Sequence, residues 1–126
     1  MKKIKVLVIE DSAVMRELLT DALSKSPKIE VVGSAIDPYI AVNKINKFQP
    51  DVITLDIILP RMDGLTFLSK LMTLRPMPVI MVSSLTSKGA RETFDALEIG
   101  ALILYVNPHL RVQMRLTNLV LHLFRR

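Results

Sequence analysis

The sequence contains no cysteine, which excludes disulfides and thiol chemistry. Aromatic residues make up only 5% of it and form no stacking platform. With no helix-turn-helix and no zinc-finger spacing either, nucleic-acid binding rests on net charge alone. That charge is +5, but it is scattered. Lys2, Lys3 and Lys5 sit at one end and Arg111, Arg115, Arg125 and Arg126 at the other, which reads as a solvated surface and not as a nucleic-acid footprint. No apolar run approaches the ~18 residues of a membrane span. The lysines before Val6, Leu7, Val8 and Ile9 resemble the start of a signal peptide, but Glu10 and Asp11 end that run at once. Repeats, low-complexity stretches and internal linkers are also missing. What remains is the composition of one cytoplasmic domain: 126 residues, half of them hydrophobic, enough for a sizeable core.

Short apolar runs alternate with helical patterns. Ile4 to Ile9 is apolar apart from Lys5, as expected of a strand buried on both faces. Val14, Met15, Leu18, Leu19, Ala22 and Leu23 then recur at helical spacing, and Pro27 closes the helix. Ile29 to Val32 predicts a second strand ending at Gly33. Asp37 and Pro38 read as an N-cap and a first-turn proline for a helix running to about Lys47. Val52 to Leu55 predicts a third strand, and Pro60, Asp63 and Gly64 mark a loop before a helix carrying Leu65, Leu68, Leu71 and Met72. A fourth strand is expected at Val79 to Val82, a helix from Ser87 to Ile99, a fifth strand at Leu102 to Val106 and a last helix from Leu110 to Phe124. In that last helix Val112, Leu116, Leu119, Val120 and Leu123 form one stripe. A helix packed on the sheet explains the stripe better than a membrane-surface helix does. Strands alternating with helices imply an α/β, doubly wound parallel sheet with right-handed crossovers and ligands beyond the carboxyl ends of its strands.

The residues at those ends carry the chemistry. The first strand ends in Glu10 and Asp11, and the third ends in Asp56. In such a sheet these acids come from neighbouring central strands, where they repel one another unless a cation sits between them. Oxygen ligands of this kind suit Mg2+ (magnesium), with waters and phosphate oxygens completing the octahedron. The fourth strand ends in Ser83 and Ser84, whose hydroxyls can reach an oxygen of a group attached to Asp56. Transfer of a phosphoryl group to a carboxylate places charge on the equatorial oxygens. A metal neutralises that charge and holds the nucleophile in line.

The run Val8-Ile9-Glu10-Asp11-Ser12, the residue Asp56, the run Leu59-Pro60-Arg61-Met62-Asp63-Gly64 and the run Val79 to Ser84 resemble the response-regulator receiver family over residues 3 to 101. Asp51 to Asp56 with the Pro-Arg-Met-Asp-Gly loop, and Met81 to Thr86, are similar to the receiver half of the chemotaxis protein-glutamate methylesterase. The resemblance implies a flavodoxin-like (βα)5 fold with strand order 2-1-3-4-5. It implies Asp56 as phosphoacceptor, Ser83 as switch hydroxyl, and Mg2+ held by Glu10, Asp11, Asp56 and the backbone carbonyl of Ile58. It also implies a chemotaxis-type histidine kinase as donor and a methylesterase-type output that the receiver restrains until phosphorylated. Residues 1–126 are expected to be a receiver without an esterase domain. Any enzyme activity is then limited to its own phosphorylation and dephosphorylation, with an output or esterase domain acting in trans, as a monomer or weak homodimer.

Residues 102–126 depart from the family. The family places a lysine before the proline that ends strand five, where this chain has Asn107 before Pro108, and no lysine follows Lys88. Arg111 is the nearest cation. The family's strand-five aromatic falls on Leu104, and Tyr105 is one place off, which in a strand reverses the face. One coding of the family segment Asp-Phe-Val-x-Lys-Pro is GAT TTT GTA TGT AAA CCC. Read one base later it gives Ile-Leu-Tyr-Val-Asn-Pro, the sequence of Ile103 to Pro108. A single-base deletion near codon 102 and ordinary divergence are both open. The alternative function is therefore a pseudo-receiver, an interaction module whose switching was lost with the lysine. A flavin-binding protein fits poorly, because Glu10 and Asp11 stand where a phosphate loop is needed. The seven methionines are read as core filling, and His109 and His122 have no assigned role.

Overall fold

A computed structural model describes residues 2–56, 64–83, 102–105 and 112–124. Its strands are β1 (Ile4–Ile9), β2 (Ile29–Ala35), β3 (Val52–Asp56), β4 (Val79–Ser83) and β5 (Leu102–Tyr105). Its helices are α1 (Ala13–Ser24), α2 (Pro38–Phe48), α3 (Gly64–Leu74) and α4 (Val112–Leu123). The strands form one sheet in the order β2-β1-β3-β4-β5, and every neighbouring pair is parallel. The expected helix from Ser87 to Ile99 lies outside the described residues, as do Leu110 and Arg111 at the start of the last expected helix.

Each central strand is apolar on both faces because each face carries its own helices. Along β1, Leu7 and Ile9 point toward α2 and α3, where they join Ile53, Leu55, Met81, Ala41, Ile45, Phe67 and Leu68. Val6 and Val8 point the other way and pack with Val52, Ile80, Leu19, Leu23, Leu116 and Val120 under α1 and α4. The period-two alternation that a strand imposes thus fills two cores from one run of aliphatic side chains. The last helix belongs to this packing. Leu116 and Val120 are fully buried, and the Thr117 hydroxyl donates to the Ala22 carbonyl of α1 at 3.1 Å.

The helix ends follow local chemistry. The Ser12 side chain accepts from the Met15 amide at the start of α1. Asp37 accepts from the Ile40 amide at 2.9 Å, with Pro38 at the first helical position of α2. Gln49 closes α2 in the left-handed conformation, with φ of 48°, and its amide donates to the Ile45 carbonyl.

The end of the second strand differs most from expectation. The second strand does not stop at Gly33 but continues to Ala35. The register against β1 slips between Val6 and Leu7, after which Gly33, Ser34 and Ala35 pair with Leu7, Val8 and Ile9. A bulge absorbs the extra residue, and the Glu10 amide then donates to the Ala35 carbonyl at 2.9 Å. The longer strand thereby supports the end of β1, where the acids begin.

Candidate functional site

The parallel pairing of β1 with β3 runs from Val6 opposite Val52 to Ile9 opposite Leu55. One further residue along each strand direction brings Glu10 level with Asp56 at the carboxyl edge of the sheet. Carboxylate oxygens of Glu10, Asp11 and Asp56 lie within 4.8 Å of one another. Their burial is graded: Glu10 is 6% exposed, Asp56 is half-buried and Asp11 is exposed.

That gradient decides which acid holds a proton. Burial is the main cause that pushes the Glu10 carboxyl up to about 8. A hydrogen bond with Asp56 and the charges of Asp56 and Asp11 push the same way. The Ser12 amide, which donates to Glu10 Oε1 at 3.4 Å, pulls against them. At neutral pH Glu10 is therefore largely protonated and donates to the Asp56 carboxylate, so a shared proton relieves the repulsion in the bare protein. A hard divalent cation does the same job with three oxygen ligands already gathered, and the donor set fits Mg2+.

The turn carrying these acids has a support that the sequence reading missed. Arg16, in the first turns of α1, donates from Nη1 to the Glu10 carbonyl and to the Asp11 carbonyl, both at 2.9 Å. Both bonds are charge-assisted. They hold the backbone so that the Glu10 and Asp11 side chains face Asp56. Arg16 follows Asp11 by five residues, which places it one turn into the helix and over the loop. An arginine at that offset behind an acidic pair was the available signal.

The structure brings Glu10, Asp11 and Asp56 together. The backbone of Ser83 ends β4, beside β3, with Val82 paired to Asp56 and Ser83 paired to Tyr105. The Ser83 hydroxyl, Ile58, Ser84, the loop from Leu59 to Asp63, and Asn107 with Pro108 lie outside the described residues. Beneath the site, Thr54 is 1% exposed, and its hydroxyl has no hydrogen-bond partner among the described residues.

Among known proteins, a family model for the response regulator receiver domain matches residues 6–106. The protein-glutamate methylesterase/protein-glutamine glutaminase of Hydrogenovibrio crunogenus is 52% identical over 113 residues, which is 90% of this chain and 30% of that protein. A second such protein, from Syntrophus aciditrophicus, is 59% identical over 108 residues, 86% of this chain and 32% of its own. The chain thus spans about a third of the length of these relatives. The crystal structure of the response regulator domain of Thermotoga maritima CheB superposes with a TM-score of 0.80 at 40% identity, covering 98% of this chain and 95% of that one. A chain of the CheX-CheY-BeF3-Mg+2 complex from Borrelia burgdorferi superposes with a TM-score of 0.83 at 28% identity, covering 99% and 92%.

Proposed function

The chain belongs to the response regulator receiver domain family, as a CheB-like receiver of two-component signalling, and on that premise we propose that Asp56 accepts a phosphoryl group from a chemotaxis-type histidine kinase. The observation that carries this reading is the convergence of the Glu10, Asp11 and Asp56 carboxylates within 4.8 Å around a half-exposed Asp56.

An Asp56 carboxylate oxygen attacks phosphorus, the donor's phosphorus–nitrogen bond breaks, and the acyl phosphate carries the charge that the donor gave up. Water later cleaves that bond and restores the carboxylate. Glu10, Asp11, Asp56 and the Ile58 carbonyl would hold Mg2+, which when bound supplies neutralising charge to the phosphoryl oxygens. With a cation held there Glu10 would be ionised, and Asp56 would no longer accept the Glu10 proton. The Ser83 hydroxyl donates to a phosphoryl oxygen and ties it to β4. Arg16 keeps the acidic turn in register throughout. The Borrelia burgdorferi CheX-CheY complex, solved with BeF3 and Mg2+, supports this chemistry.

The reading extends to the whole of residues 1–126 as one cytoplasmic receiver with an atypical end at 102–126. Its output is a methylesterase-type activity, in line or in trans, and its state is a monomer or weak homodimer. Intact-mass measurement with acetyl phosphate and Mg2+ tests it. The expected result is one phosphoryl group on the chain and none on Asp56→Asn. Equal labelling of both proteins would point to another acceptor.

A second reading has a specific observation behind it. Asn107 stands where the family has lysine, and no lysine follows Lys88. A phosphoryl oxygen without that cation keeps only neutral donors, which bind about half as strongly as charged ones. Switching requires differential binding to two states. Beryllofluoride should then change hydrogen exchange near Ser83 and leave residues 102 to 120 unmoved, and Asn107→Lys should restore part of the response. Strong protection changes at 102 to 120 in the unaltered chain would eliminate the pseudo-receiver.

A further inference from the structure

On the face of the sheet away from α1 and α4, helices α2 and α3 leave between them a groove of about 540 Å3. Tyr39 and Val42 line it from α2, and Phe67 and Leu74 from α3. Phe67 belongs to the core and forms part of the floor. Tyr39, Val42 and Leu74 are 53%, 47% and 83% exposed. Three of the five large hydrophobic side chains exposed among the described residues therefore gather at one recess. Single exposed apolar residues are ordinary, whereas a gathered set marks a binding surface.

Both charged side chains that line the recess are cationic. Neither α2 nor α3 contains an aspartate or glutamate. Lys70 and Arg75, both exposed, line the α3 side, and neither has an acidic partner among the described residues. An occupant must bring apolar side chains for the floor and negative charge for the rim.

We propose that this groove receives an amphipathic helix of a partner protein, with aliphatic anchors at i, i+4 and i+7 and acidic residues flanking them. The walls are helices of 11 residues each, so the groove is about 16 Å long, roughly three helical turns. A helix laid in a groove presents its anchors over that span. A second copy docking the same face would set Lys70 and Arg75 against their own counterparts, and like charges across an interface are unfavourable. An anionic lipid surface is met by a protruding apolar face, whereas Phe67 lies recessed between two walls.

The test uses the full chain and a synthetic helical peptide with leucines at the anchor positions and glutamates on both flanks. Its control is the same peptide with lysines for the glutamates. The acidic peptide should move the amide signals of α2 and α3 and leave those of α1 and α4 in place. Lys70→Glu combined with Arg75→Glu should weaken binding about tenfold, a change of ~1.4 kcal/mol. Leu74→Ser should weaken it comparably. All three side chains are exposed, so unchanged thermal midpoints will show that the variants fold. Absence of shifts in α2 and α3, or equal binding of the lysine peptide, overturns the proposal. So does tighter association with phosphatidylglycerol vesicles than with the peptide, which would make the face a membrane contact. Self-association lost on Leu74→Ser would make it an interface between copies, with the exposed Val14, Glu17 and Asp21 of α1 as the counterpart.

Discussion

The acidic edge and the α2–α3 groove are opposite in charge, size and hydration. At the edge, three carboxylates are crowded within 4.8 Å, and the most buried of them keeps a proton. In the groove, two cations stand apart on an exposed rim around apolar side chains. The edge crowds negative charge that a bound proton or a small, hard cation relieves. The groove stores little electrostatic energy and offers area, which suits a large partner with modest charge. Two negative charges a few ångströms apart and partly dehydrated interact far more strongly than a solvated lysine and arginine do. Substitutions at the edge should therefore act through metal and proton, and substitutions in the groove through association alone.

The largest effect is expected at Glu10. Glu10→Gln keeps the shape but removes both the titration and one charged ligand. Affinity for Mg2+, followed by amide shifts during titration, should fall at least about tenfold, while peptide binding in the groove stays the same. A variant that binds Mg2+ as well as the parent would mean that the metal does not use this carboxyl.

The next effect is a pH dependence. The folded-state pKa of Glu10, about 8, lies above its ordinary 4.5, so the native state holds a proton that the unfolded chain releases. Glu10's stabilising contribution is complete below about 4.5 and is lost as pH rises through about 8. Without metal, the unfolding free energy from denaturant titration should fall across that window, by no more than about a few kcal/mol because Asp11 opens the cluster to water. Mg2+ should reverse the trend, since it competes with the proton and binds more tightly as pH rises, up to about tenfold per unit. Glu10→Gln should flatten both curves. A metal-free chain equally stable at pH 5 and pH 8 would show that the edge does not hold this proton.

A smaller effect is expected at Arg16, which touches no ligand and acts through the Glu10 and Asp11 carbonyls. Arg16→Ala should weaken Mg2+ binding several-fold and cost ~1–2 kcal/mol of stability. Arg16→Lys should recover part of the metal affinity. Loss of stability with unaltered metal affinity would make Arg16 a fold residue only.

The smallest concerns Thr54, just beneath the edge. Its buried hydroxyl has no partner among the described residues, so Thr54→Val should raise stability by ~1 kcal/mol and leave Mg2+ binding unchanged. A drop in Mg2+ affinity would give that hydroxyl a place in the site.

Much of this was written along the chain. Aliphatic runs on both faces of β1 and β3 already require a sheet covered on two sides. Asp37 with Pro38 sets the start of α2, and acids directly after two such strands must meet at one edge. These features depend on neighbours a few residues apart, which periodicity and capping report directly. Other features depend on contacts that no local pattern encodes. The extension of β2 past Gly33 follows from a bulge against β1, so glycine, ordinarily a strand end, here pairs with Leu7. The unequal burial of Glu10 and Asp11, adjacent and chemically alike, follows from packing, which dehydrates the first at the sheet edge and leaves the second exposed. The groove draws Tyr39 and Val42 from one helix and Leu74 from another, more than thirty residues on. The sequence determined the carboxylates and the strands that present them, because both are properties of single residues and short spacings. Only the tertiary structure decided which carboxyl keeps the proton and where exposed apolar side chains gather, because dehydration and proximity belong to the packed chain.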